Sequence, residues 1–163
     1  MKIKKTIILL SLALLMGCTS KETQRINPKK SHLTTIRWGA NDLQEMANEM
    51  VSNILSSNID FSKNYSIGKI KNSSHDHINS KLLGNKISTT LIQSKKVHIV
   101  QEKSGKDNAV FFGKISSILK KNDRTKDMFF NFNLTLIDKS SSKVIWTHDV
   151  PIRKIQKKAL FGW

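Results

Sequence analysis

The strongest periodic pattern in the chain lies in residues 41–57, where apolar residues recur at intervals of three and four. These positions are Leu43, Met46, Ala47, Met50, Val51, Ile54 and Leu55. The spacing places the apolar side chains on one face of an α-helix, so it predicts an amphipathic helix that packs against a core. Asn41 is the predicted N-cap, and Gln44 is placed for a return hydrogen bond to the first turn.

A strand, a helix and a second strand are predicted next along the chain. Residues 65–71 form a short strand candidate, residues 76–94 show a helical stripe, and residues 96–101 form the following strand. The stripe consists of Ile78, Leu82, Leu83, Ile87, Leu91 and Ile92. Two strands joined through a helix predict a parallel pair with a right-handed crossover.

The C-terminal half of the chain has the patterning of β-strands. Residues 110–119 are predicted as a strand that follows a polar loop at 102–108. In residues 128–138, apolar and polar residues alternate with a period of two, which is typical of a strand with one buried face. The alternating apolar positions are Phe130, Phe132, Leu134 and Leu136.

A last strand is predicted from the short loop at 139–142, because so short a connection allows only antiparallel pairing with residues 143–150. Pro151 is expected to end this strand, since proline cannot donate to a ladder. Residues 152–163 are then expected to form a basic tail. The whole pattern predicts an α/β fold of the α+β kind, with a mixed sheet of about four to five strands and flanking helices.

The N-terminus has the features of an export signal. Three lysines within the first five residues precede an apolar run over residues 7–16, and this run is too short for a membrane-spanning helix of about 20 residues. The run ends in Leu15-Met16-Gly17-Cys18, which resembles a bacterial lipobox. The alternative is an ordinary signal peptide followed by a chance cysteine.

Cys18 is the only cysteine of the chain, and the lipobox resemblance implies that it carries lipid at the start of the mature protein. Removal of the signal at 1–17 would leave a polar, lipidated tether at 18–32 and one globular domain at 33–163. Thr19 replaces the aspartate of inner-membrane lipoproteins, which implies an outer-membrane anchor and a domain that faces the periplasm. With Cys18 acylated, no thiol remains for a disulfide.

The chain is strongly basic, with a formal net charge of +16. The three lysines of the signal account for +3 of this, which leaves +13 for the exported part. Such a charge favours anionic partners, among them peptidoglycan and lipid headgroups, whereas export argues against nucleic acid. The alternative is that the lysines, together with abundant Asn, Ile and Ser, reflect an A+T-rich genome without any selection for binding.

The sequence contains no recognisable catalytic or cofactor motif: no Gly-x-Ser-x-Gly, no glycine-rich phosphate loop and no free cysteine nucleophile. Only His75-Asp76-His77 could begin a metal site, but no third or fourth ligand stands nearby. The other interpretation is a helix N-terminus with Asp76 as its cap. We therefore predict a protein that is not an enzyme and holds neither metal nor cofactor.

The three tryptophans are predicted to serve packing rather than binding. Trp38 precedes the first helix and is placed to contact it, Trp146 lies within a predicted strand, and Trp163 closes an aromatic C-terminus. Exposed aromatic residues often anchor interfaces, so an interface role is the alternative for each of them.

Several stretches resemble the LpoB family of outer-membrane lipoproteins, which activate bifunctional penicillin-binding proteins. They are Trp38 to Gln44, Ile70 to Ser74, His77 to Asn79, Gly113 to Ile118, Phe132 to Asp138 and Val144 to Trp146. The resemblance covers residues 33–163 and implies a fold similar to the N-terminal domain of TolB. It also implies a non-catalytic role, in which the domain docks on the synthase and stimulates peptidoglycan synthesis.

Two features depart from that family. The tether is short, and residues 102–108 replace a helical segment that the family usually has between its second and third strands. The resemblance identifies no individual partner-contact residue. The competing hypothesis is a structural, wall-associated lipoprotein that binds anionic peptidoglycan through its basic surface.

Overall fold

The computed structural model describes residues 35–157, which contain two α-helices and five β-strands. The elements are α1 (Ala40–Leu55), β1 (Asn64–Ser73), α2 (Ser80–Gln93), β2 (His98–Ile99), β3 (Ala109–Lys121), β4 (Thr125–Asp138) and β5 (Val144–Lys157). The strands form one mixed sheet, so the predicted α+β fold with four to five strands is confirmed. The predicted signal, lipidation site and tether lie outside the described residues.

The sheet has the order β2-β1-β3-β4-β5. β1 pairs in parallel with both β2 and β3, whereas β3, β4 and β5 pair antiparallel as a meander. The parallel pairing across α2 is confirmed, but β2 is only two residues long and does not extend over 96–101.

α1 begins earlier than the pattern predicts, and α2 begins later. Gly39, not Asn41, is the N-cap of α1, and its N–H donates to the carboxylate of Asp42 at 2.7 Å. α2 starts at Ser80, and its N-cap is Asn79, whose side chain accepts the N–H of Leu82. The polar residues before Asn79 make turn contacts instead of helical ones, which is why the helix begins after them.

The core lies between the two helices and one face of the sheet. Its fully buried large side chains include Met46, Met50, Ile54, Tyr65, Leu83, Ile87, Leu91, Phe111, Ile115, Phe130, Phe132 and Leu134. The predicted apolar face of α1 is confirmed, with Leu43 and Leu55 partly buried against this cluster. The stripe predicted for α2 is wrong at Leu82 and Ile92, which are 52% and 54% exposed.

Pro151 does not end the last strand: β5 continues through it to Lys157 in register with β4. Proline is tolerated here because β5 is the outer strand of the sheet. An outer strand pairs on one side only, so a proline whose ring nitrogen faces the open side costs no ladder hydrogen bond. The predicted basic tail is therefore a strand as far as Lys157.

Candidate partner-binding face

α1 and α2 contact each other and the same core cluster, so both lie on one side of the sheet. Along β4, every second residue from Met128 to Leu136 is buried beneath them, and the residues between point to the opposite side. We call this opposite side of β3, β4 and β5 the helix-free face. Within residues 35–157, no helix covers it.

The centre of the helix-free face is a ladder of polar side chains. Asn131 Nδ2 donates to Asp149 Oδ1 at 2.6 Å, and Asn133 Nδ2 donates to Thr147 Oγ1 at 3.2 Å. Thr135 Oγ1 lies 3.0 Å from Thr147 Oγ1. Cross-strand pairs of this kind hold neighbouring side chains in fixed positions. The result is a polar surface that is ordered before any partner binds.

One end of the helix-free face combines a charged pair with apolar side chains. Arg153 donates to both carboxylate oxygens of Asp127, at 3.0 and 2.8 Å, and this contact lowers the pKa of Asp127. Ile118 lies opposite Phe129 in the register of β3 and β4. These four residues and Lys120 line a shallow pocket of about 350 Å³.

The other end of the helix-free face carries Phe112, which is 37% exposed. Its ring lies over Gly68, where an added Cβ would come within 2.8 Å of Phe112 Cε1. β1 has a register shift between Ile67 and Ile70 at this point. Glycine therefore allows the close approach of the aromatic ring to the bulged strand.

A separate groove of about 570 Å³ lies between α2 and the β1–β2 edge of the sheet. Ile67, Ile92 and Ile99 contribute apolar surface to it, and Gly84 allows close contact with Ile70. The chain after β2 forms only the short 3-10 turn Glu102–Ser104. This turn lies in residues 102–108, which replace the helical segment expected from the family resemblance. Ile92 beside the groove is exposed.

The structure separates the members of the His75-Asp76-His77 cluster. His75 contacts Ser117 Oγ through its backbone N–H and its ring, while the carboxylate of Asp76 accepts the N–H of Trp38 at 2.7 Å. His77 is exposed. Asp76 thus connects the segment before α1 to the β1–α2 turn and does not cap α2. In residues 35–157, no three His, Cys, Asp or Glu side chains are grouped to hold a metal ion.

Two of the tryptophans pack against the core as predicted. Trp38 makes an edge contact with Phe130, with ring centroids 5.4 Å apart. Trp146 makes an edge contact with Phe111 and stacks on His148. Trp163 lies outside the described residues.

Besides the pair of Arg153 and Asp127, two further ionic contacts were not predicted from the sequence. Asp107 is buried and accepts hydrogen bonds from Ser66 Oγ at 2.6 Å and Lys139 Nζ at 2.9 Å. Asp42 forms an ion pair with Lys154 of β5. No local pattern marks these carboxylates, because their partners are 32 to 112 residues away in the chain.

The comparisons with known proteins include a match to a family model. No curated protein sequence gives a significant match. Residues 42–111, which run from α1 to the start of β3, match the family model of the peptidoglycan-synthase activator LpoB. The predicted resemblance to the LpoB family is confirmed. The helix-free face lies mostly in β4 and β5, beyond the matched stretch.

Solved structures of LpoB have the same fold. The C-terminal domain of LpoB from Salmonella enterica superimposes with a TM-score of 0.52 at 10% identity, covering 69% of this chain and 99% of that domain. The corresponding domain from Escherichia coli gives 0.51 at 12% identity, covering 68% and 98%. At these identities the similarity establishes the fold alone.

No helix within the described residues is long and apolar enough to cross a membrane.

Proposed function

We propose that this protein is a non-catalytic activator of peptidoglycan synthesis, which binds a bifunctional penicillin-binding protein and stimulates it. The observation that carries the proposal is the match of residues 42–111 to the LpoB activator family. The sequence adds support through its export signal and through the absence of a catalytic motif. We further propose that Cys18 carries the lipid that anchors the protein in the outer membrane.

The helix-free face is the surface that best fits a protein partner. Strands of 13 or 14 residues, at about 3.3 Å per residue and about 4.8 Å between strands, give a sheet area of roughly 600 Å². This is close to the ~800 Å² that each partner buries in a standard interface. Ordered polar side chains flanked by Phe112 and Phe129 also match the mixture found at such interfaces.

The first test is glycan polymerisation by the organism's own bifunctional penicillin-binding protein, with and without the mature chain, residues 18–163, carrying Cys18→Ser. We expect a clear, saturable rise in polymerisation rate. A folded sample that leaves the rate unchanged at micromolar concentration and low salt would contradict the proposal.

Thr147→Arg tests whether the helix-free face is the docking surface. Thr147 is exposed at the centre of the polar ladder, so a long charged side chain should block close approach of a partner. We expect the concentration of protein needed for half-maximal stimulation to rise about tenfold, the effect of losing a central interface contact.

The matched control is Thr89→Arg, which makes the same exchange at an exposed position of α2. It should stimulate the synthase like the unmodified protein. Circular dichroism would show whether both variants are folded. If both variants lost stimulation equally, or if neither lost any, the helix-free face would not be the docking surface.

The anchor is tested separately with Cys18→Ser in cells. We expect the unmodified protein to incorporate labelled palmitate and to fractionate with the outer membrane, and the variant to do neither, because the thiol is the site of acylation. Incorporation of label by the Cys18→Ser variant would show that the lipid is attached elsewhere.

The +13 charge of the exported part favours a second candidate function, attachment to anionic peptidoglycan. Purified wall sacculi should then sediment the protein at low salt and release it at about 0.5 M salt, where screening is strong. Sedimentation without any effect on the synthase would favour this structural role. Variants with neutralised surface lysines that still sediment would exclude it.

A further inference from the structure

The turn between β3 and β4 carries a cluster of exposed positive charges. Five exposed cations lie at this end of the sheet, and we call them the basic tip: Lys120, Lys121, Arg124, Lys126 and Lys157. The acids nearby are Asp123 and Asp127, and Asp127 is already paired with Arg153. The basic tip therefore carries a clear excess of positive charge.

The backbone of the basic tip is held in a defined turn. Asn122 Oδ1 accepts the N–H groups of Arg124 and Thr125 at 3.0 and 2.7 Å, and the Asn122 N–H donates to the carbonyl of Thr125. Lys121 pairs directly with Lys126 across the two strands. Like charges placed opposite each other repel, so an anionic ligand between them would relieve an existing repulsion.

Large aliphatic side chains are exposed beside these cations. Ile118, Leu119 and Ile155 are 57%, 42% and 54% exposed, and all three lie within three residues of a basic-tip residue along their strands. Cations that surround exposed aliphatic residues are the combination that binds the interface of an anionic membrane.

The chain enters the domain at the same end of the sheet. Lys154 Nζ donates to the carbonyl of Arg37 at 2.8 Å, and Thr35 and Ile36 line a hollow with residues 153–156 of β5. Only 17 positions separate Cys18 from Thr35, which span at most about 60 Å when fully extended. A lipid on Cys18 would therefore keep the basic tip within reach of the membrane.

We propose that the basic tip binds the anionic phosphate headgroups of the membrane to which the chain is anchored, while Ile118, Leu119 and Ile155 enter the lipid interface. This inference rests on the lipid anchor of the proposed function. It gives the domain a second attachment to the same membrane. The domain would then have to leave the headgroups before it could extend towards a synthase.

The test uses the mature chain, residues 18–163, with Cys18→Ser, so that binding cannot come from an attached lipid. Sedimentation with vesicles of phosphatidylcholine containing about 30% phosphatidylglycerol should capture the protein, and pure phosphatidylcholine vesicles should not. The combined substitution Lys121→Gln, Arg124→Gln and Lys126→Gln should weaken partitioning about tenfold or more, because each cation near an anionic surface contributes separately.

The control removes the same charge elsewhere: Lys81→Gln, Lys96→Gln and Lys103→Gln, three exposed lysines towards the opposite edge of the sheet. It should bind vesicles within about twofold of the unmodified protein, since distant exposed charges are screened at physiological salt. Equal loss in the two triple variants would overturn the proposal in favour of net charge alone.

A folded protein that ignores anionic vesicles would also overturn the proposal. If the basic-tip variant then failed to stimulate the synthase, the tip would bind an acidic protein surface instead. Palmitate labelling of Cys18 is a separate readout, so failure of the anchor and failure of the basic tip are distinguishable.

Discussion

Truncation of Phe132 to alanine is expected to lower the free energy of unfolding by about 3–5 kcal/mol, because it removes a fully buried ring and leaves a cavity. Phe132 lies on the central part of β4 with no exposed surface. A Cβ at Gly113 would lie 2.9 Å from Cε2 of this ring, which shows how closely the neighbouring strand encloses it. Urea denaturation followed by circular dichroism measures the change.

Phe112→Ala is the matched control for this prediction. The same ring is lost, but Phe112 is 37% exposed on the helix-free face, so the effect on stability should be less than half as large. Because a domain of this size has only about 5–15 kcal/mol of stability, the Phe132→Ala variant should also unfold at a clearly lower temperature. Equal destabilisation by the two substitutions would show that the helix-free face is covered in solution.

The contrast between these two phenylalanines shows what the sequence could predict. The period-two alternation over 128–138 identifies the buried side of β4, because a strand under a helical layer needs one continuous apolar face. The same holds for α1, whose apolar positions at intervals of three and four became its buried face. Local periodicity was sufficient to identify the buried face of an element that packs against the core on one side only.

The elements that were predicted wrongly depend on contacts far apart in the chain. Pro151 was expected to end a strand, but its effect depends on whether β5 is an inner or an outer strand, and only the strand order decides that. Asp76 was considered as a helix cap, yet its carboxylate accepts the N–H of Trp38, 38 residues earlier. Neither position carries a local signal of its partner.

Only part of the helix-free face could be predicted from the sequence. Asn131, Asn133 and Thr135 were recognisable as the polar side of β4, but their pairing with β5 depends on a register that crosses Pro151. The grouping of cations in the basic tip could not be predicted either, because residues 152–163 were expected to be a tail. Extending β5 as far as Lys157 brings the last cations beside the turn between β3 and β4.

Asp107→Ala is expected to lower the free energy of unfolding by about 2–3 kcal/mol. The side chain of Asp107 has no exposed surface, and its loss leaves the buried hydroxyl of Ser66 and the ammonium of Lys139 without their partner. Breaking a buried pair costs about 3–5 kcal/mol, and we expect less because the Lys139 side chain is 44% exposed and can reach water. Denaturant unfolding at pH 7 measures the difference.

The same carboxylate predicts how stability depends on pH. Burial raises the pKa of Asp107, but the hydrogen bonds from Ser66 and Lys139 outweigh that effect, so its pKa lies below the ordinary value. A lowered pKa in the folded state means that the carboxylate stabilises the protein fully above the unfolded pKa of about 3.9. This contribution is lost as the pH falls below that value towards the folded pKa.

The stability difference between the unmodified protein and Asp107→Asn should therefore stay constant from about pH 7 to 5 and shrink below about pH 4. Asp127→Asn is the control, because its partner Arg153 is 64% exposed and ion pairs at the surface contribute little. A difference for Asp107→Asn that does not change with pH would mean that the charge on Asp107 is not what stabilises the fold. The hydrogen bonds from Ser66 and Lys139 would then hold the side chain equally well whether or not its carboxyl is ionised.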